Sequence, residues 1–268
     1  MKTRLIDGRS LAKRIREDVA GEISRLGFRP GLGVVLVGND PASHLYVALK
    51  EKACAEAGIL FVRKDFPEDA RQESVLEAIR GLNEDDAIDA ILVQLPLPPQ
   101  LDTDGTVSFI DPAKDVDGFH PWNLRNYLQG RGAMPGLIEA VSLLLDEAGA
   151  PHEGLSGVRA NSPVFSTPLE LMLEQRGLAP TEDLRSADVV VTAVGQPRSL
   201  KAADIKPGAI VIDVGTTRIG SMTVGDADAS SLEGVAAALT PVPGGVGPMT
   251  VALLIKKTLE LARTRHGR

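Results

Sequence analysis

Four stretches of the chain hold side chains whose types and spacing could do chemistry together. In "SHLYVALK" Tyr46 and Lys50 stand one helical turn apart, so on a helix they share a face, with Ser43 one turn earlier on the same side. An aromatic beside a lysine could hold a flat ring while the amine exchanges a proton with it. A surface lysine lying along a tyrosine would give the same spacing. In "VQLPLP" an amide, Gln94, emerges between Val93 and Leu95 from a nearly continuous apolar strand. A buried amide without partners costs about 1–3 kcal/mol, so a ligand or the backbone of the following loop must supply them. "KDVDGF" sets Asp115 and Asp117 on either side of a valine before Gly118, where carboxylates ordinarily bond the local backbone. "TPVPGGVGPMT", residues 240–250, is a rigid Pro/Gly loop. Its adjacent glycines permit close approach to a ligand, or they simply make a tight connection.

The elements that must position these groups alternate. Leu11, Ile15, Val19 and Ile23 recur at helical spacing and predict a helix capped by Ser10 and running to about Leu26. "LGVVLVG" predicts a buried strand, and the segment 40–58 a helix with a proline in its first turn and Gly58 as its stop. "ILFVRKDF", "QESVLEAIRGLN" and "IDAILVQLPLP" continue as strand, helix and strand. From Asp102 to about Leu128 the periodicity weakens into a long irregular segment, of the kind that is usually functional or a linker. The helix "GLIEAVSLLLDEAG", the weak strand "LSGVRA", the helix "TPLELMLEQRG", the strands "ADVVVTAVG" and "GAIVIDVG" and a long final helix follow. Strands alternating with helices give the α/β class with parallel sheets. Two domains are expected: residues 1–130, completed by the C-terminal helix 249–266, and residues 131–248.

Composition excludes several classes. A hydrophobic share of 43% with 24% charged residues is that of an ordered globular chain, and a net charge of −7 argues against nucleic acid as a partner. The single cysteine, Cys54, rules out an internal disulfide framework. No apolar run approaches a membrane span or a signal peptide, which makes the cytoplasm the expected location. The four histidines are scattered and predict no metal site.

Taken together, these stretches resemble the methylenetetrahydrofolate dehydrogenase/methenyltetrahydrofolate cyclohydrolase family. "IDGRSLAKRI", "VGNDPASHLYVALKEKACAEAGI", "ILVQLPLP", "DPAKDVDGFHPWN", "SADVVVTAVGQP", "GAIVIDVGTTR" and "TPVPGGVGPMTVALL" match its pattern in order, and "VQLPLP" and "PGGVGPMT" are highly specific to it. The resemblance implies a folate site in a cleft between a parallel-sheet folate domain and a Rossmann-like second domain. In that site Tyr46 would stack on the ligand, Lys50 would be the central catalytic group, Gln94 would set its protonation state and Asp117 would bond the pterin. Val93, Leu95 and the loop Pro243, Gly244, Gly245, Val246, Gly247 and Pro248 would line the folate. A homodimer is also implied.

The second domain departs from the family pattern. Where the family has a loop of the form GxSxxVGxP, this chain has "NSPVFSTP": Ser162 and Pro168 remain, and Asn161 and Ser166 stand roughly where the glycines should be. Such replacements put side chains where a pyrophosphate needs bare backbone and remove access to positive φ. After Gly177 the chain passes to "SADVVV" with about ten residues fewer than the family, so the strand and loop that carry the adenosine ribose and its 2′-phosphate are expected to be absent. The family's PCTP segment is reduced to "MPG" at 134–136. Pro168 is expected to start the following helix, with no pyrophosphate at its N-terminus. The reading that follows is a tetrahydrofolate-dependent enzyme with a truncated Rossmann-like domain. It would be a cyclohydrolase, or would pass the carbon of methylenetetrahydrofolate to a second small molecule, with NADP-linked hydride transfer lost or weakened. Ser162 and Thr216 would be vestiges of the cofactor site. Two alternatives stand beside it: the ordinary bifunctional NADP-dependent enzyme and a non-catalytic folate-binding protein.

Overall fold

The computed structural model describes residues 2–220 and 222–267. In chain order come β1 (Arg4–Leu5), α1 (Gly8–Ile23), β2 (Gly31–Val37), α2 (Pro41–Ala57), β3 (Leu60–Phe66), α3 (Gln72–Glu84) and β4 (Ala90–Val93). Two short helices, α4 (Thr103–Ser108) and α5 (Pro121–Leu128), lead to α6 (Gly136–Ala148). Then follow β5 (Gly154–Ala160), α7 (Pro163–Gln175), β6 (Leu178–Pro180), β7 (Val189–Ala193) and β8 (Ile210–Asp213). The chain ends with β9 (Thr217–Ile219), β10 (Met222–Val224), α8 (Ala229–Leu232), β11 (Ala238–Leu239) and α9 (Val246–Arg265). It divides into two compact α/β units, Lys13–Gly136 with Val251–Arg268, and Met1–Ala12 with Leu137–Thr250.

The first unit holds a parallel three-stranded sheet in the order β3-β2-β4. Every residue of β2 is buried because both faces of that strand are covered, which is why it reads as an unbroken apolar run. Leu32, Val34 and Leu36 pack into a cluster with Val19, Val47 and Leu254, while Val35 and Val37 pack with Val75, Ile79 and Leu82 of α3. Helix α2 has the ends its sequence predicts: Pro41 opens it, and Gly58 closes it at φ 81, a left-handed conformation that costs glycine little. The stretch 102–128 proves more ordered than its weak periodicity suggests. Short helices bound it, and Lys114–Val116 runs beside β4, with Ile91 N donating to Lys114 O at 2.7 Å. Buried Lys114 donates its ammonium to the carbonyls of Leu82, Asn83 and Asp85 at 2.7–3.0 Å, closing the C-terminus of α3.

The second unit is a six-stranded parallel sheet in the order β1-β11-β8-β7-β5-β6, with the antiparallel hairpin β9–β10 beside it. Several expectations are corrected here. Strand β1 pairs with β11, so the first residues belong with this sheet and not with residues 13–130; a two-residue strand carries no periodicity to reveal its partner. Helix α1 is opened by Asp7 instead of Ser10: its carboxylate accepts from Arg9 N, Ser10 N and the Ser10 hydroxyl. The strand expected to be missing after Gly177 is present as β6, pairing Leu178 with Gly154 and Pro180 with Ser156. At three residues, with a proline, it was too short to show alternation, and its edge position tolerates the missing N–H. Helix α7 begins at Pro163, with Pro168 inside its second turn. Pro163 fits the helix start, where its missing donor has no intrahelical partner to lose, whereas Pro168, one turn in, gives up the bond its N–H would have made to the Val164 carbonyl.

Candidate active site

Lys50 and Gln94 meet because α2 begins at the C-terminal end of β2 and β4 ends beside it, where open parallel sheets place their ligands. Lys50 Nζ donates to Gln94 Oε1 at 2.8 Å, and Gln94 Nε2 donates to Leu95 O at 2.7 Å. Loop backbone therefore satisfies one end of the amide and the lysine the other.

The docking of residues 114–116 beside β4 separates the two aspartates by role. Asp115 bonds its own loop, accepting from Gly118 N at 3.1 Å, His120 N at 2.8 Å and Asn123 Nδ2 at 3.0 Å. The Asp117 carboxylate makes no hydrogen bond among the described residues and interacts electrostatically with Lys50. It keeps surface open to solvent, yet so much protein surrounds it that loss of bulk water pushes its pKa up to about 6; Lys50 opposes that shift and Asp115 adds to it. Burial pushes Lys50 below the ordinary lysine range, with the Asp117 charge opposing. Cys54, one turn further along α2, is buried and its thiol is pushed up to about 12 by burial and by Glu51, so it stays a neutral thiol and is no nucleophile. The arrangement is an amine whose charged form is disfavoured by burial, held by an amide and in electrostatic contact with a carboxylate whose own pKa is raised.

The other expected site residues divide. Tyr46 is half-buried one turn before Lys50 on α2, while Ser43 serves the helix instead, its N–H and hydroxyl both donating to the Asp40 carboxylate at 2.8 Å. Val93 is buried in the core against α3, which leaves only its backbone available, whereas Leu95 is exposed. Pro243 to Pro248 lie in the six-stranded unit, with Gly244 at φ 122, Gly245 N donating to Pro241 O at 2.7 Å, and Val246 already opening α9. Lys50, Gln94 and Asp117 are thus gathered in the three-stranded unit by its own elements.

The six-stranded unit carries a strand–turn–helix at 160–163. Ser162 is the N-cap residue of α7, and its side chain makes no capping bond. A parallel strand that leads straight into an uncapped helix N-terminus is suited to a phosphate. The lost glycines do not strain it: among the described residues the only non-glycine with positive φ is Arg198, so Ala160, Asn161 and Ser166 occupy ordinary backbone. Asn161 turns aside and donates to Val194 O at 2.6 Å. Thr216, by contrast, is exposed beyond β8. The residues present therefore fit a dinucleotide, and the backbone argument against one fails.

One α/β unit thus carries a lysine held by an amide beside a carboxylate, and the other a parallel strand leading into an uncapped helix N-terminus, the features of a two-unit α/β protein with a ligand edge on each sheet. Residues 6–117 match the tetrahydrofolate dehydrogenase/cyclohydrolase catalytic domain, and residues 139–266 match the NAD(P)-binding domain of the same enzymes. The bifunctional protein FolD 2 of Geobacter sulfurreducens is 44% identical, covering 97% of this chain and 96% of its own. The bifunctional FolD structure from Campylobacter jejuni is 37% identical with a TM-score of 0.92, covering 98% of this chain and 99% of its own. The Trypanosoma brucei FolD structure, complexed with NADP cofactor and inhibitor, is 33% identical with a TM-score of 0.94, covering 100% of this chain and 99% of its own. The chain belongs to the tetrahydrofolate dehydrogenase/cyclohydrolase family and is an enzyme of folate one-carbon metabolism.

These matches correct the expectation that NADP-linked activity has been given up. The NAD(P)-binding domain is matched over 139–266, the segment that holds every departure in the β5–β7 region, and the "missing" strand is there. Sequence reasoning also passed over Asp213 and Asp226, both buried. The signal was available: an aspartate closing the apolar run "AIVID" is as anomalous as Gln94 closing "AILVQ".

Proposed function

We propose that the chain is a bifunctional enzyme, an NADP-dependent methylenetetrahydrofolate dehydrogenase and methenyltetrahydrofolate cyclohydrolase. The observation that carries this reading is the 2.8 Å contact between Lys50 Nζ and Gln94 Oε1 beside the otherwise unbonded Asp117. Opening a methenyl bridge adds water to an electron-poor carbon and moves a proton from that oxygen to the departing ring nitrogen. Lys50, its charged form disfavoured by burial, can take the first proton and return it to the nitrogen. Gln94 Oε1 aims the amine by accepting from it, and Asp117 is free to accept a hydrogen bond from the pterin ring. Tyr46, one turn before Lys50, offers a ring face to the folate. NADP, when bound, supplies the acceptor for a hydride from the methylene carbon, and Ser162 and the N-terminus of α7 are the residues that would hold its phosphates.

The test is an assay of the full chain on methylenetetrahydrofolate with NADP and on methenyltetrahydrofolate without it. Both reactions are expected, and Lys50→Met is expected to lower hydrolysis by about 10²-fold or more with the fold intact by circular dichroism. Hydrolysis unaffected by that substitution would take Lys50 out of the chemistry, and no hydrolysis by the parent chain would leave a folate-binding protein in place of the enzyme. No NADP-dependent oxidation would remove the dehydrogenase half.

A further inference from the structure

Two buried carboxylates in the six-stranded unit take no part in the lysine-centred chemistry. Asp213 closes β8 at 2% exposure, and Asp226 follows the hairpin at 0%. Each grips backbone beyond its own strand. Asp213 accepts from Gly215 N at 2.9 Å and Asp226 N at 3.1 Å through Oδ1, and from Ala227 N at 2.8 Å through Oδ2. Asp226 Oδ2 accepts from Val194 N at 2.6 Å, Gly195 N at 3.3 Å and the Thr192 hydroxyl at 3.3 Å. Its other oxygen, Oδ1, is buried with no hydrogen-bond partner. Two glycines make the room: a Cβ on Gly215 would lie 2.2 Å from Asp226 Cγ, and one on Gly225 would lie 2.0 Å from Asp213 Oδ2.

Taking two carboxylates out of water side by side is costly, and burial pushes Asp213 up to about 6 with Asp226 adding to the rise. A brace that only stabilised the sheet could be apolar. What this one does is fix loops. The segments after β7 and β8 are tied to each other through the carboxylates, and the segment after β5 joins them through the Asn161–Val194 bond at 2.6 Å. Those are three loops at the carboxyl ends of neighbouring parallel strands, the edge on which such sheets hold nucleotides.

We propose that Asp213 and Asp226 are the positioning residues of the dinucleotide site, a buried carboxylate pair that sets the loops after β5, β7 and β8 in the arrangement that receives NADP. The inference rests on the reading above that this unit binds NADP. Neither residue touches the hydrolytic centre, whose Lys50, Gln94 and Asp117 lie in the other unit, so their loss separates the two activities.

The experiment titrates NADP by calorimetry into the full-length protein and its Asp226→Ala and Asp226→Asn variants, and measures methenyltetrahydrofolate hydrolysis in each. Asp226→Ala is expected to weaken NADP about tenfold or more, the loss of several hydrogen bonds to the loop. Asp226→Asn, whose carbonyl oxygen can accept the same donors while its amide nitrogen takes the partnerless position, is expected to recover most of that affinity. Hydrolysis is expected within about twofold of the parent in both. Unchanged NADP affinity in Asp226→Ala, failure of asparagine to restore it, or a parallel fall in hydrolysis would each overturn the proposal. Absence of saturable NADP heat in the parent protein would overturn the dinucleotide reading, and this inference with it. If Asp226→Ala does not fold, Thr192→Val removes one donor at similar size; it is expected to weaken NADP by about threefold, and unchanged affinity there overturns the proposal equally.

Discussion

Asp117 and Lys50 shift each other's protonation, and that coupling gives the site a pH signature. The Asp117 carboxyl sits at about 6, raised by burial and held down by the lysine, while Lys50 is lowered by burial and held up by the aspartate. As pH falls through about 6, Asp117 takes up a proton, loses its charge, and offers a ligand only the weaker acceptor of a neutral acid. The kcat/KM profile for hydrolysis should therefore show an acid limb near pH 6, well above the ordinary aspartate value. Asp117→Asn should remove that limb, lower activity throughout, and move the Lys50 transition further down, because the opposing charge has gone. An acid limb that survives the substitution would assign it to another group. Of Lys50, Gln94 and Asp117, only Gln94 is a polar residue in a place where polarity needs a reason; the spacing of Lys50 fits a surface lysine and the turn around Asp117 an ordinary backbone-bonding carboxylate, so those two stood out only through the family resemblance. Ser43 had the right spacing and the wrong role, since spacing cannot show that Asp40 already claims its hydroxyl. Asp213 closes its strand with the same anomaly as Gln94, yet no neighbouring motif drew attention to it.

At the scale of elements, what could be read depended on length. β2, β7 and α2 were recoverable because seven buried residues, a run of three valines followed by Thr192 and Ala193, and a proline-to-glycine frame each exceed the noise of composition. β6 and β11, at three and two residues, are strands only because a neighbour pairs with them, which is a tertiary fact that no local pattern encodes. The irregular stretch around Lys114 was harder still. Its order comes from long-range bonds: the ammonium to three carbonyls at the end of α3, and Asn83 to Phe109 O and Asp111 N. Those bonds hold Asp115 and Asp117 at the end of β4, so Lys114 supports the site without touching it. Lys114→Met fills a similar space and leaves three carbonyls without their donor, which should cost about 3 kcal/mol measured by urea denaturation. Hydrolysis should fall as well, through KM more than kcat, as the Asp117 loop loosens. A stability change under about 0.5 kcal/mol would mean that the carbonyls find water, as at an exposed helix end.

At the scale of the whole chain, neither unit is a continuous segment. The three-stranded unit takes Val251–Arg268 from beyond the six-stranded one, and the six-stranded unit takes its first strand from the N-terminus. The length of the last helix suggested that it packs back onto the first domain, but the reciprocal loan of β1 left no trace in two residues. The loan of the helix is the energetically heavier of the two. Val251, Leu254, Ile255 and Leu259 are each at most 7% exposed and sit in the same cluster as Leu32, Val34 and Val47. Four such side chains, at about 2 kcal/mol each, come to about 8 kcal/mol, comparable to the whole stability of a typical domain. A chain cut after Thr250 should therefore lose the cooperative melting of the three-stranded unit and expose it to protease, and hydrolysis should vanish with it even though Lys50, Gln94 and Asp117 all remain. Adding residues 251–268 back as a separate peptide should restore part of both, since the lost contacts are packing contacts and need no covalent link. A truncated chain that melts cooperatively at the parent temperature and still hydrolyses methenyltetrahydrofolate would show instead that β2, α1 and α2 make a sufficient core alone.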